Sequence, residues 1–133
     1  MKVAFATTDC EHINAHFGWA DTLSVYEVSP QGYELVENHS FPESAEDGNE
    51  DKLVPKLEFL QSCQDCKIVY VSAIGGSAAA RLINQGITPI KSQSETERIT
   101  ALLDRLVSTL RTSPPPWLRK ALGLKSQFTE EDL

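Results

Sequence analysis

The stretch from Lys67 to Ile90 constrains the fold more than any other part of the chain. Lys67 to Ser72 is a compact apolar run suited to a buried strand, and Gly75-Gly76-Ser77 then opens a helix of Ala78, Ala79, Leu82 and Ile83. Gly86 can close that helix at its C′ position, and Ile87-Thr88-Pro89-Ile90 makes the next strand. A strand-helix-strand unit of this length joins parallel strands, nearly always by a right-handed crossover.

The rest of the chain is legible around that unit. Lys2 to Thr8 reads as a strand and Asp9 to Gly18 as a polar loop. Thr22 to Val28 alternates Leu23 and Val25 against Ser24, Tyr26 and Val28, and the turn cluster Ser29-Pro30-Gln31-Gly32 joins it to a further strand from Tyr33 to Phe41. Glu43 to Asp51 holds five acids and no base, which makes it a solvated crossing segment. A helix should begin near Asp51 and fade near Cys63, because Leu53, Val54, Leu57 and Leu60 keep helical spacing and Pro55 fits only near a first turn. Ile99, Leu102, Leu103, Leu106, Val107 and Leu110 form one apolar stripe on a last helix started by Ser94 or Glu95. Three strands followed by helix, strand, helix, strand and helix predict a three-layer α/β/α domain with a mixed five-stranded sheet. That domain occupies residues 1–112; residues 113–133 read as a Pro-rich spacer, a short helical segment and an acidic tail.

With 133 residues the chain is the size of one ordinary domain. Its 12 Lys and Arg against 19 Asp and Glu give a net charge of −7, so a nucleic-acid partner would need a local basic stripe, and none is visible. Apolar runs fall far short of the roughly 20 residues that span a bilayer, and Met1-Lys2-Val3 leads straight into a strand pattern, so the expected location is the cytoplasm. Cys10, Cys63 and Cys66 are accordingly read as thiols.

In open α/β sheets ligands gather beyond the carboxyl ends of parallel strands, which singles out the loop Thr8 to Gly18 and the loop Ser72 to Ser77. Gly75, Gly76 and Ser77 offer backbone N–H groups at a helix N-terminus, where an anion is favoured; the plainer reading is that the glycines turn the chain and Ser77 caps the helix. Cys10, His12 and His16 carry side chains that bind transition metals or iron–sulfur material, but they lack a fourth ligand at a recognised zinc spacing. The plainer reading for His12 and His16 is that of loop histidines. Cys63-Gln64-Asp65-Cys66 has redox spacing yet falls between a helix C-terminus and a strand, where the dipole has the wrong sign for a stabilised thiolate. Asp9 and Asp21 are the pair that a metal-dependent phosphoesterase or nuclease would use.

His16-Phe17-Gly18 with Ala20 two residues on, Asp47-Gly48-Asn49-Glu50-Asp51-Lys52-Leu53, Ile74-Gly75-x-Ser77-Ala78 and Pro116-Trp117-Leu118-x-x-Ala121-Leu122 occur together. In this combination the chain, from about Val3 to Leu122, resembles the nitrogenase iron-molybdenum cofactor biosynthesis (NifX/NafY) family. The resemblance implies a ribonuclease-H-like fold whose second strand is antiparallel to its neighbours. It also implies a carrier, not an enzyme, that binds the iron–sulfur precursor of the iron-molybdenum cofactor. Such a carrier takes its cargo from the radical-SAM protein that makes it and exchanges it with the scaffold complex on which the cofactor matures. By position, the histidine that ligates or orients the cluster is His16, beside Phe17 and Gly18, and the Ile74 to Ser77 loop is the second wall of the pocket; whether Cys10 ligates is left open.

Overall fold

The computed structural model describes residues 1–41 and 53–112 together with residues 116 and 118. Five strands, β1 (Lys2–Thr7), β2 (Thr22–Ser29), β3 (Gly32–Ser40), β4 (Cys66–Val71) and β5 (Thr88–Lys91), form one sheet in the order β3-β2-β1-β4-β5. β2 is antiparallel to both β1 and β3, whereas β1, β4 and β5 run parallel. The sheet is therefore mixed, as the alternation in β2 and the crossover unit require.

Period-two alternation sends each strand to two cores. Ala4, Ala6, Leu23, Val25, Val69 and Val71 pack under α1 (Leu53–Ser62) and α2 (Gly76–Asn84). Val3, Phe5, Val28, Ile68 and Tyr70 pack under α3 (Ile99–Thr112) on the other face, joined there by Leu118. All six residues of the α3 stripe are buried. Helices thus cover both faces, and the three-layer arrangement follows from which side each apolar residue occupies.

Gly86 ends α2 as expected. Its φ of +84° is the left-handed conformation that glycine adopts freely, and the bonds Gly86 N–H to Ile83 O and Ile87 N–H to Leu82 O, both 2.9 Å, close a Schellman motif. One boundary differs from the sequence reading. α3 starts at Ile99, not at Ser94 or Glu95, because Ser94 spends its groups locally: its Oγ meets Thr96 N–H and Oγ1, and its carbonyl accepts from Glu97 N–H. Side-chain bonds of this kind compete with a helical first turn. The strands otherwise move by about one residue at their ends, and the acidic segment 43–51 and most of 113–133 lie outside the described residues.

Candidate functional site

The loop after β1 is stitched to two different neighbours along its length. Its first half joins the entry of α3: Ile13 N–H donates to Glu97 O at 3.0 Å, Ile99 N–H donates to Glu11 O at 2.9 Å, and His12 pairs with Arg98 in a short antiparallel bridge. Its second half joins the loop after β4. Ser72 N–H donates to Ala15 O at 3.0 Å, Phe17 N–H donates to Ala73 O at 2.9 Å, and His16 and Ala73 form a parallel bridge. Phe17, fully buried, anchors this second half in the core beneath α1 and α2.

Of the sequence candidates, His16 and Phe17 are thereby brought beside Ala73, two residues ahead of Gly75, with Gly18 next in the chain, while Cys10 and His12 belong to the half of the loop that faces α3. The His12 ring is occupied, with Nδ1 2.8 Å from Asp9 Oδ2. Asp9 is the organiser of that half. Its carboxylate accepts from Thr7 Oγ1 and from the N–H groups of Glu11 and His12. The His12 ring first, and then those two backbone N–H groups, hold the Asp9 carboxyl well below the usual carboxylate range. An aspartate so consumed by its own loop is a poor metal-holding partner for Asp21. Among the described residues no group of three or more His, Cys, Asp and Glu is placed to hold a metal ion. Cys10 is exposed and adopts a φ of 64°.

His16 is half-buried and stands just ahead of a single 3-10 turn, Phe17–Trp19. Its Nδ1 accepts from Gly18 N–H at 3.1 Å. A neutral imidazole accepting at Nδ1 carries its proton on Nε2, which is then a hydrogen-bond donor. Trp19, next in the turn, is 69% exposed.

The loop paired with it begins at Ala73 and runs into α2. Gly75 is the N-cap, with φ −80° and no side-chain capping bond, and Ser77 lies within the helix instead of capping it. Gly75, Gly76 and Ser77 are all exposed. A Cβ built on Gly75 or Gly76 would meet nothing within 4 Å, and neither residue has the positive φ that demands glycine. Neither crowding nor strain selects glycine here. What the two glycines do is leave the first N–H groups of α2 uncovered at the positive end of its dipole.

The Cys63 and Cys66 thiols lack the lowered pKa that a redox pair uses. Burial raises both, Cys66 to about 12. A thiol held that high supplies almost no thiolate near neutral pH.

One residue of this region was not singled out by the sequence. Lys56, on α1, is only 5% exposed, and its Nζ lies 3.4 Å from the Gly18 carbonyl oxygen. A lysine near the start of a helix, here between Pro55 and Leu57, reads as solvated, and only the tertiary contact places it behind the His16 loop.

The sequence pattern of the family described as dinitrogenase iron-molybdenum cofactor matches residues 1–109. The chain belongs to the dinitrogenase iron-molybdenum cofactor family. Protein NifX of Herbaspirillum seropedicae is 50% identical over 123 residues, which cover 92% of this chain and 82% of that one. The FeMo cofactor biosynthesis protein NifB of Bradyrhizobium diazoefficiens is 36% identical over 95 residues, covering 68% of this chain but 18% of that protein. The crystal structure of PH0822 superposes with a TM-score of 0.64 at 19% identity, over 88% of this chain and 97% of that one, a likeness of fold. Membership of the dinitrogenase iron-molybdenum cofactor family places the chain in the biosynthesis of that cofactor. No helix among the described residues is long and apolar enough to cross a membrane.

Proposed function

We propose that the chain is a carrier, not a catalyst, that holds an iron–sulfur precursor of the iron-molybdenum cofactor between His16 and the start of α2. It would receive the cargo from the radical-SAM protein that builds it and pass it to the scaffold complex where the cofactor matures. The observation that carries this reading is the His16–Ala73 bridge, which joins the family's histidine loop to the diglycine loop at one rim of the sheet.

The chemistry suits such a cargo. A sulfide-rich cluster is anionic, and the uncovered N–H groups of Gly76 and Ser77 together with the α2 dipole favour negative charge. His16 can meet the cluster in two ways: as a donor from Nε2–H to sulfide, or as a ligand to iron once the Gly18 bond or the Nε2 proton is given up. A single exchangeable imidazole, in place of a full set of thiolates, is compatible with release. The link to the synthesising enzyme draws support from the 36% identity to NifB over 95 residues.

The test is the iron and sulfide content of protein isolated without oxygen from cells that make the precursor. Wild type should retain both in proportion, and His16→Ala should be depleted at least several-fold. Equal loading of the two proteins would refute the role of His16.

A further inference from the structure

A cleft of about 370 Å³ lies between α3 and the carboxyl ends of β4 and β5, and no residue of the His16 loop or of α2 lines it. That volume falls in the range of small-molecule sites, which pair an apolar lining with a few polar groups. Ile90, Leu102, Leu106 and Leu118 supply the apolar part, and Tyr70 is the polar anchor. Its ring stacks on Phe5 with centroids 5.3 Å apart, and the residue is only 9% exposed. A buried phenol usually has a hydrogen-bond partner, yet the Tyr70 hydroxyl has none among the described residues. Nor is it sealed off, because the one enclosed side-chain polar atom without a partner among those residues is Gln85 Oε1. The hydroxyl therefore opens into the cleft that Tyr70 lines.

Burial first, and then the Glu97 carboxylate, raises that phenol to about 12, so near neutral pH it is an uncharged donor. Glu97, the one carboxylate on the lining, is engaged at both oxygens: Oε1 accepts from Gln93 N–H at 3.3 Å and Oε2 accepts from Arg105. Against it stand two cations, Arg105 and the exposed Lys91, which leaves the lining one positive charge in excess. We propose that this cleft binds a small carboxylic acid with an apolar body, its carboxylate met by the Tyr70 hydroxyl and Lys91 and its hydrocarbon by Ile90, Leu102, Leu106 and Leu118. An apolar guest without charge would leave the phenol unanswered, and a small hydrated anion would gain nothing from the leucines. The site is separate from the His16 loop and does not rest on the carrier reading.

The experiment follows backbone amide shifts of ¹⁵N-labelled protein titrated with 1-naphthoate, with its uncharged analogue 1-naphthalenemethanol and with inorganic phosphate. On wild type, naphthoate should give saturable shifts centred on Lys91, Ser92 and Gln93, with the alcohol and phosphate each bound roughly tenfold more weakly. Tyr70→Phe keeps the ring and its stacking on Phe5, so it should unfold at the temperature of wild type and bind naphthoate roughly tenfold more weakly. Lys91→Met removes an exposed charge and should cost about threefold. Equal binding of naphthoate and the alcohol would show that the cleft selects hydrocarbon alone and would overturn the proposal. Phosphate bound as tightly as naphthoate, or naphthoate shifts lying elsewhere on the molecule, would overturn it as well. So would a Tyr70→Phe protein that binds naphthoate like wild type. Because the three probes are compared on wild type, the outcome does not depend on either variant folding.

Discussion

Phe17 N–H donates to Ala73 O at 2.9 Å, and together with the bond from Ser72 N–H to Ala15 O it ties the loop that follows the first strand to the loop that follows the fourth. β1 and β4 are adjacent and parallel, so both loops leave the same edge of the sheet, and the bridge joins His16 to the loop that leads into α2. In the proposed carrier, helix dipole, uncovered N–H groups and imidazole would act together because of this connection.

Phe17 holds the rim in place, being wholly buried among Leu57, Leu60 and Val71 of the core beneath α1. Phe17→Ala should lower unfolding free energy by about 3–5 kcal/mol, the usual cost of deleting a buried aromatic ring. Urea unfolding measures it. A loss below about 1 kcal/mol would show that the ring is not packed as described.

Gly76 separates folding from binding. An acidic residue in a helix first turn stabilises it by about 0.3–1 kcal/mol, and a Cβ at this position meets nothing. Gly76→Asp should therefore unfold at the same or a higher temperature than wild type. Affinity for an anionic cluster should fall by an order of magnitude, since the new carboxylate occupies the place of the guest. Parallel thermal and titration measurements distinguish the two effects; a variant that both folds and binds normally would place the guest elsewhere.

Asp9 makes stability depend on pH in the acid range. Its carboxyl is held below the ordinary value of 3.8, first by the His12 ring and then by backbone N–H groups. Because the folded value is the lower one, the charged carboxylate stabilises the fold above pH 3.8, and that contribution is lost as the pH falls below it. Asp9 is exposed, so the effect is small and screened by salt. Urea midpoints measured from about pH 5 down to 2 should fall less steeply for Asp9→Asn than for wild type. Superimposable profiles would contradict the hydrogen bonds assigned to this carboxylate.

Cys66 gives the opposite sign at alkaline pH. Burial raises its thiol from 9.0 to about 12, so the neutral thiol stabilises the fold fully below pH 9 and the contribution is lost as the pH rises toward 12. In the folded protein near pH 8, iodoacetamide should alkylate exposed Cys10 readily and spare Cys66, as mass spectrometry of peptides would show. Modification of Cys66 at the rate of Cys10 would contradict its burial.

How far the sequence could be read depended on the range of the interactions involved. The stripe from Ile99 to Leu110 and the closure at Gly86 are local patterns, and both hold. Alternation in β2 foretold which residues face each core. The start of α3 was misplaced because Ser94, a plausible helix cap by type, bonds to Thr96 and Glu97 in a turn of its own. Motif pattern set His16, which stands before Phe17 and Gly18, apart from His12 and flagged the diglycine loop; what no local rule shows is that one half of the loop pairs with Ala73 and the other with Arg98. The burial of Lys56 was invisible for the same reason, since it depends on tertiary packing and not on local pattern.

Paramagnetic broadening of backbone amides by a bound four-iron cluster locates the guest directly. In ¹⁵N-labelled protein titrated anaerobically, the amides of Phe17, Gly18, Gly75 and Gly76 should disappear together at substoichiometric cluster, while those of His12 and of Lys91 in the 370 Å³ cleft beside α3 stay sharp. Broadening centred on that cleft, or on Cys63 and Cys66, with the His16 loop unaffected, would contradict the account.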